Sequence, residues 1–169
     1  MITVETERLV LRPLGLEDAA FVLELVNDPS WLRYIGDRGI RTLDAARDYI
    51  RNGPMASHAK HGFGLDLAVR KADGAAVGIC GLLKRDTLDD IDVGFALLPQ
   101  FCGQGYAGEA AAAILHHGRS AFGLKRIVAI TDPANAASIQ LLEKLGFKFE
   151  RLIRMAPDKP ELKLFASEA

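Results

Sequence analysis

Cysteine is scarce in this chain, and its scarcity excludes several kinds of site. The two cysteines, Cys80 and Cys102, do not form a C-x-x-C pair, and no histidine stands at zinc-binding spacing from them. We therefore expect no metal site. Cys80 lies in an apolar run and is predicted to be a core residue. Cys102 lies in a glycine-rich loop with no histidine or aspartate near it in sequence, which disfavours a nucleophilic role.

Long apolar runs and a strong net charge are also missing. No apolar run approaches the roughly 18 residues that a membrane-spanning helix needs. The first residues, MITVETERLVLRPL, carry charges throughout and lack the apolar block of a secretory signal, so a cytoplasmic location is expected. The formal net charge is −1, so we expect no membrane and no nucleic-acid partner bound by bulk attraction. Any anionic ligand must be held locally.

The remaining composition is that of a globular protein. The chain has 169 residues, of which 49% are hydrophobic and 25% are charged. This length is sufficient for one compact core without disulfides or metals. We found no repeat, low-complexity tract or linker, which predicts a single domain over residues 1–169.

The first half of the chain has the pattern of an antiparallel sheet with helices before it. Strands are predicted at 8–14, 63–70, 75–84 and 91–98, with a hairpin turn at Asp73-Gly74 between the second and third. A helix is predicted at 16–26, and another after the N-cap Thr42, which Gly53-Pro54 should break or kink.

The second half alternates helices and strands. Helices are predicted at 105–122 and 136–145, and strands at 126–131, 147–155 and 162–166. Gly146 has the position of a helix C-cap. These elements predict an α+β fold with a mixed, mostly antiparallel sheet flanked by helices.

The stretch QFCGQGYAGEAAAA contains a G-x-G-x-x-G pattern just before a predicted helix. Glycines at a helix N-terminus let an anion approach unpaired backbone amides. A dinucleotide site is one interpretation, and Asp132 at the end of the next strand imitates its ribose-binding acid. However, four residues separate the preceding strand from Gly103, and too little chain follows Asp132 for the other half of a doubly wound sheet. A loop that merely turns the chain is the third interpretation.

Three linked signatures resemble the GCN5-related N-acetyltransferases (GNAT superfamily). The stretch from Leu97-Leu98-Pro99 to Gly108-Glu109-Ala110 is similar to the family's acyl-CoA loop. Asn135-Ala136-Ala137-Ser138 and Glu143-Lys144-Leu145-Gly146-Phe147 resemble its second signature. Thr6-Glu7-Arg8-Leu9-Val10-Leu11-Arg12-Pro13, followed by Glu17-Asp18, resembles the opening of the branch of ribosomal-protein N-terminal acetyltransferases, the RimJ/RimL-like branch. The resemblance spans roughly residues 5–155, in the expected order.

The resemblance implies acetyl-CoA as the co-substrate. In this family the strand before the loop splays from its neighbour, and the pantetheine arm pairs with the exposed strand while loop amides hold the pyrophosphate. The cofactor-binding residues implied here are Phe95, Ala96, Leu97, Cys102, Gly103, Gln104, Gly105, Tyr106, Ala107, Gly108 and Asn135. Cys102 departs from the family, which usually has Arg or Gln at that position; main-chain contacts do not depend on that side chain.

The resemblance also implies candidate catalytic residues. Many relatives have a tyrosine proton donor where this chain has Leu142, which cannot donate a proton. In the ribosomal branch a serine takes this role, and Ser138 matches it; the alternative is that Ser138 and Asn135 cap a helix. Asp92 matches the position of an acid that acts as a base, directly or through water, with a solvated strand-edge carboxylate as the alternative. Glu109 is explained by the helix dipole alone.

The acceptor side is less well specified by the sequence. Trp31 and Tyr34 fall where relatives line the acceptor pocket, although Trp31 also suits a core. The loops between Asn27 and Lys60 are expected to choose the acceptor. His58, His61, His116 and His117 have no partner visible in sequence, so structural or surface roles are expected.

These observations predict an acetyl-CoA-dependent N-acetyltransferase without a metal, in which an amine attacks the thioester directly. The expected acceptor is a protein or peptide α-amine, with small amines such as polyamines or aminoglycosides as the alternative. A non-catalytic acyl-CoA sensor and a nicotinamide enzyme are the hypotheses of other classes. The assembly, monomer or homodimer, is left open.

Overall fold

A computed structural model describes residues 3–169 of the chain. Eight strands form one sheet: β1 (Val4–Glu5), β2 (Leu9–Pro13), β3 (Leu65–Arg70), β4 (Ala76–Leu83), β5 (Asp92–Leu97), β6 (Arg126–Thr131), β7 (Lys148–Arg154) and β8 (Glu161–Glu168). Six α-helices accompany it: α1 (Ala19–Val26), α2 (Pro29–Tyr34), α3 (Leu43–Ile50), α4 (Ala56–His61), α5 (Tyr106–Phe122) and α6 (Ala136–Lys144). Within residues 3–169, no helix is both long and apolar enough to cross a membrane.

The order of the strands in the sheet is β1-β2-β3-β4-β5-β6-β8-β7. Among the described strands, only the β5–β6 pair is parallel. This confirms the predicted α+β fold with a mixed, mostly antiparallel sheet. It also contradicts the dinucleotide interpretation, which requires a run of parallel strands.

The turn between β3 and β4 forms as its sequence predicts. Gly74 adopts a left-handed conformation, with φ of 73°. The Asp73 carboxylate accepts hydrogen bonds from the Arg70 side chain and from the Ala75 amide. The turn thereby aligns β3 and β4, which provide the centre of the sheet.

β5 and β6 meet at one end and then part. Their single register pair is Asp92 with Val128, supported by a 2.9 Å hydrogen bond from the Val128 amide to the Ile91 carbonyl. On its other side, β5 pairs with β4 along its whole length, from Asp92 to Leu97. The sheet therefore opens at its centre, as the expected splayed strand pair requires.

Two apolar clusters cover the two faces of the sheet. Helix α5 packs on one face through buried residues such as Ala110, Ala111 and Ile114. Helices α1 and α3 pack on the opposite face, with Val22, Leu25 and other side chains. Small side chains on α5 allow it to lie close to β4 and β5.

The segment between α1 and β3 is more helical than the sequence analysis predicted. α2 was not predicted, and neither was α4. Gly53 and Pro54 do not break the helix that begins after Thr42: a π-helical turn, Arg51–Met55, connects α3 to α4. A proline lacks the amide hydrogen that an α-helix would use, and a wider turn accommodates this locally. The expected acceptor loops are therefore largely helices.

Candidate functional site

The open edge of β5 presents unpaired backbone groups. The Leu98 amide donates to the Val77 carbonyl, and β5 is antiparallel to β4, so backbone groups alternate between β4 and the opening. By this alternation, Phe95 and Leu97, which lie beyond the Asp92–Val128 pair, direct their amides and carbonyls toward the opening. The Ala96 backbone faces β4 instead, opposite Ile79. Ala96 therefore borders the opening by its small side chain.

The loop that follows β5 has a row of amides without partners in the protein. A short 3₁₀ turn, Pro99–Phe101, leads into it, and the Cys102 amide is used internally, donating to the Pro99 carbonyl at 3.1 Å. The amides of residues 103–108 donate to no acceptor within residues 3–169. Gly103 and Gly105 reach this geometry with φ values of 78° and 84°. Unpaired amides at a helix N-terminus are the arrangement with which proteins commonly bind anions.

Arg8 adds a positive charge beside this loop. Its Nη1 donates to the Gln104 carbonyl at 3.0 Å, and its guanidinium lies 4.2 Å from the centroid of the Tyr106 ring. Tyr106 itself is buried, with 5% of its surface exposed. The sequence analysis missed Arg8, because its proximity to the loop arises only when β2 lies beside α5.

Glu109 has a structural role. It accepts hydrogen bonds from the Thr6 hydroxyl, from the Arg8 amide at 2.9 Å and from Arg8 Nε at 2.8 Å. Burial favours a higher pKa for Glu109, but these hydrogen bonds outweigh it and hold the pKa below its ordinary value. Glu109 thus connects the N-terminal segment to α5. The sequence analysis had explained Glu109 by the helix dipole alone and did not predict these contacts.

A groove of about 970 Å³ lies where β5 and β6 part. Its walls come from α2, the α3–α4 segment, β5, the end of β6 and the start of α6. The predicted residues that line it are Asp92, Phe95, Ala96, Asn135, Ser138, Trp31 and Tyr34. Residues 102–108 do not line it, so the loop forms a separate part of the site.

Asp92 is the most unusual group in the groove. It is 1% exposed, so it is not a solvated strand-edge carboxylate. Its Oδ1 accepts from Arg85 Nε at 3.0 Å, whereas its buried Oδ2 has no hydrogen-bond partner within residues 3–169. Burial raises the pKa of Asp92 above its ordinary value, and the opposing effect of Arg85 is smaller. An unpaired buried oxygen of this kind is typical of a ligand-binding site.

Asn135 and Ser138 lie together at the start of α6. The carbonyl oxygen of the Asn135 side chain accepts from the Ser138 amide at 3.2 Å, so Asn135 is the N-cap. Ser138 is the third helical residue, and its hydroxyl is not used in the cap. Leu142, one turn further on, is fully buried and lines the same groove.

Trp31 and Tyr34 are both on α2. Trp31 packs into the core with 5% of its surface exposed, and it lines the groove as well. Its buried Nε1 has no hydrogen-bond partner within the described chain. Tyr34 is half-buried, and the Arg33 guanidinium lies 4.9 Å from its ring centroid.

Cys102 lies in the loop before α5, and among the histidines of the described chain only His61 lines the groove. Burial raises the pKa of the Cys102 thiol, which favours the protonated and less nucleophilic form. His58 forms a buried pair with Asp66, at 2.8 Å between Nε2 and Oδ1, on the side of β3 that faces α5. Among residues 3–169, no group of three or more candidate side chains is arranged to hold a metal ion.

Comparisons with known proteins agree with this geometry. The family model described as "Acetyltransferase (GNAT) domain" matches residues 8–148. An uncharacterized N-acetyltransferase, p20 from Bacillus licheniformis, is 32% identical over 155 residues, covering 91% of this chain and 86% of that protein.

Solved structures show the same fold. An acetyltransferase from Agrobacterium tumefaciens is 25% identical, with a TM-score of 0.83 over 100% of this chain and 95% of that chain. RimL, a ribosomal L7/L12 alpha-N-protein acetyltransferase in complex with coenzyme A, has a TM-score of 0.82 at 16% identity, covering 99% of this chain and 98% of that chain.

Proposed function

This chain belongs to the GNAT acetyltransferase family and is an acyltransferase, and from that premise we propose that it transfers an acetyl group from acetyl-CoA to a protein or peptide α-amine. The observation that carries the proposal is the parting of β5 from β6 directly before a loop of unpaired amides. The extended pantetheine arm of acetyl-CoA would need the open strand edge, and its pyrophosphate would need the loop amides that follow.

The backbone on both sides of Leu97 is suited to acetyl-CoA. Phe95 and Leu97 would pair with the amides of the pantetheine arm, as a neighbouring strand would. The amides of Gly103, Gln104, Gly105, Tyr106, Ala107 and Gly108 would bind the pyrophosphate, with support from the dipole of α5. The Cys102 amide would not bind the pyrophosphate, because it already donates to the Pro99 carbonyl. Cys102 would only help to position the loop. Asn135, which lines the groove, would contact the acetyl-CoA arm near its thioester.

When bound, acetyl-CoA supplies an activated thioester carbonyl; the residues of this chain would orient the amine and move its proton. The unpaired Oδ2 of Asp92 is placed to accept that proton, directly or through water. The Ser138 hydroxyl, which the helix cap leaves free, would provide a proton to the departing sulfur. Trp31 and Tyr34 would border the acceptor.

An α-amine is the acceptor that this site suits best. The pKa of an α-amine is about 8, whereas that of a lysine side chain is about 10.4, so far more of the α-amine is neutral at physiological pH. A carboxylate base is adequate for such a group. The solved RimL structure, which is named as an alpha-N-protein acetyltransferase, supports the same acceptor class through its shared fold.

An acceptor screen that records thiol release from acetyl-CoA tests the proposal. The panel should contain peptides that begin with Ala, Ser or Met, together with polyamines and aminoglycosides. We expect thiol release with at least one peptide and acetylation at its N-terminal nitrogen by mass spectrometry. Tight binding of acetyl-CoA without thiol release across the panel would instead favour a sensor.

A further inference from the structure

The groove beside Asp92 has an excess of positive charge. Its lining includes six basic side chains and three acidic ones. The basic residues are Arg33, Arg38, Lys60, Lys84, Arg85 and Lys159; the acidic residues are Asp37, Asp92 and Asp132. The pyrophosphate does not explain this excess, because residues 102–108 lie outside the groove lining.

Two of the three acidic groups are already in ion pairs, so the groove retains an excess of positive charge. Asp92 is bonded to Arg85, and Asp37 is paired with Arg41 at 2.6 Å. Asp132 accepts from the Ala134 amide at 2.8 Å. By contrast, four of the basic side chains form neither an ion pair nor a hydrogen bond within residues 3–169. They are Arg33, Arg38, Lys60 and Lys159.

Arg38 is the central member of this set. Its guanidinium lies 6.0 Å from the ring centroid of Trp31 and 5.8 Å from that of Tyr49. Burial raises the pKa of Tyr49, and the positive charges of Arg38 and Arg85 act against that rise. Arg38, Tyr49, Arg85 and Asp92 all line the same groove.

The unsatisfied indole of Trp31 is a second and independent observation. The indole Nε1–H can only donate a hydrogen bond. Within the described chain it is buried and has no acceptor. A buried donor without a partner destabilises the folded protein, and a ligand that supplies an acceptor would remove this cost. Trp31 lines the groove that Arg38 also lines, so the two residues provide neutral and charged donors in one region.

We propose that the acceptor carries a carboxylate within a few bonds of its reactive amine, and that Arg38 and the Trp31 indole bind that carboxylate while Asp92 receives the amine. The inference rests on the transferase function proposed above. The carboxylate could belong to an acidic residue that follows the N-terminal residue of a peptide, or to a small amino acid. Polyamines would be repelled by the excess of positive charge in the groove.

Matched acceptors that differ only in charge test this selectivity. One set consists of peptides that begin Ala-Asp, Ala-Asn and Ala-Lys and are otherwise identical. The other consists of γ-aminobutyrate, n-butylamine and putrescine, which have the same carbon chain. We expect kcat/KM for the anionic member to exceed that of the neutral member by about tenfold, because charge-assisted hydrogen bonds are worth at least that factor. The cationic member should be poorest.

The two sets separate the sources of the carboxylate. Preference within the peptide set alone identifies an acidic peptide, whereas preference within the small-amine set alone identifies an amino acid. Preference in either set supports the proposal. Equal kcat/KM across both sets, or a preference for Ala-Lys or putrescine, would overturn it while leaving the transferase function intact.

Variants of Arg38 test the assignment to that residue. Arg38→Ala should bring the ratio of anionic to neutral acceptors close to one, mainly through KM, and Arg38→Glu should reverse it. The affinity for acetyl-CoA should not change. Arg47→Ala is the matched control, because Arg47 is a nearby arginine of α3 that pairs with Asp44 at 2.7 Å and does not line the groove. An unchanged ratio in Arg38→Ala would contradict the assignment.

The outcomes also distinguish the two proposals. If no acceptor in any set releases thiol although acetyl-CoA binds, the proposed transfer to a peptide α-amine is wrong. If neutral and cationic acceptors turn over well, the function is supported and the charge selectivity is refuted. Both results come from the wild-type protein, so they do not depend on the folding of a variant.

Discussion

Asp92 has one oxygen bonded to Arg85 and the other buried without a partner in the described chain, and this asymmetry defines its chemistry. The Arg85 contact holds the carboxylate in place. The free Oδ2 is then available to a proton or to a protonated amine. The sequence pattern indicated an acid at this position, but it could not show that the acid is buried.

Replacement of Asp92 by asparagine should impair acetyl transfer. The asparagine side chain would retain the shape of the aspartate and an oxygen for Arg85, but it would be a very poor base. We expect kcat/KM for a peptide acceptor to fall by about 10² or more, the usual contribution of a general base. Asp132→Asn, in the same groove, should leave the rate close to that of wild type. Equal rates for wild type and Asp92→Asn would exclude Asp92 as the base.

The same substitution should change how stability depends on pH. Because the pKa of Asp92 is raised in the folded state, the folded protein binds a proton more tightly there than the unfolded chain does. Its contribution to stability is present below the unfolded pKa of about 3.9 and is lost as pH rises through the folded pKa. Urea unfolding across this range should show the loss in wild type but not in Asp92→Asn. Identical pH profiles for the two proteins would contradict the shift.

Ser138 can be tested apart from the helix cap. Ser138→Ala removes the hydroxyl but retains the amide that Asn135 caps. We expect kcat to fall by about 10², as for loss of a proton donor, with no change in acetyl-CoA affinity. The control is Ser120→Ala on α5, whose hydroxyl bonds to the His116 carbonyl outside the groove. If kcat survives in Ser138→Ala, then the serine is not the donor.

The candidate residues were predictable, whereas most of their partners were not. Asp92 and Ser138 stand in local signatures that a sequence displays directly. Arg8 reaches Glu109 across 101 positions, and such a pair exists only after β2 and α5 have packed together. The donor pair of Arg38 and Trp31 similarly depends on how the segment from α2 to α3 packs beside the groove. Long-range packing therefore determined what the sequence analysis missed.

At the scale of elements, the start of α5 depends on glycine. Gly105 precedes the helix with φ of 84°, a region that other residues enter at a cost of about 1 kcal/mol or more. An added Cβ would also lie 3.2 Å from Arg8 Nη2. The conformation of Gly105 sets the direction in which α5, with its unpaired first amides, leaves the loop.

Gly105→Ala should therefore weaken acetyl-CoA binding more than it weakens the fold. Gly123→Ala is a close control, because Gly123 ends the same helix with φ of 65° and nothing lies within 4 Å of an added Cβ. We expect both variants to lose about 1 kcal/mol of stability. Only Gly105→Ala should raise the Kd for acetyl-CoA, measured by calorimetry. Equal Kd values in the two variants would count against the loop as the pyrophosphate site.

Element boundaries followed the local pattern closely, with an instructive exception. β6 was predicted at the observed residues, and Thr42 caps α3 by accepting from the Ala45 amide. The exception is Pro54, which the helix tolerates through a π-helical turn. Propensity rules describe regular helices, so they predicted a break or a kink at Gly53-Pro54, where the chain continues through a wider, π-helical turn.

At the scale of the whole molecule, one sheet connects every strand of the described chain. We expect residues 1–169 to unfold as one cooperative unit, with coincident transitions by far-UV circular dichroism and tryptophan fluorescence. Acetyl-CoA at about 100 times its Kd should stabilise the fold by about 2.7 kcal/mol. The melting temperature should rise accordingly in a thermal scan. Two separate transitions would contradict a single domain.

The strand order of the sheet was only partly predictable. Hairpin turns specify neighbours such as β3 and β4, because their sequence separation is short. The placement of β8 between β6 and β7 has no local signal, and neither does the point at which β5 leaves β6. Both follow from the packing of complete elements. The family resemblance supplied the splayed pair where local rules could not.

The free edge of β5 also has a cost outside catalysis. A row of unpaired amides and carbonyls can be joined by any extended polypeptide, which is how many proteins begin to aggregate. A co-substrate arm that pairs with this edge would block such contacts. The cellular supply of acetyl-CoA would then govern the protein's persistence as well as its turnover, and starved cells would be expected to hold more of it in insoluble form.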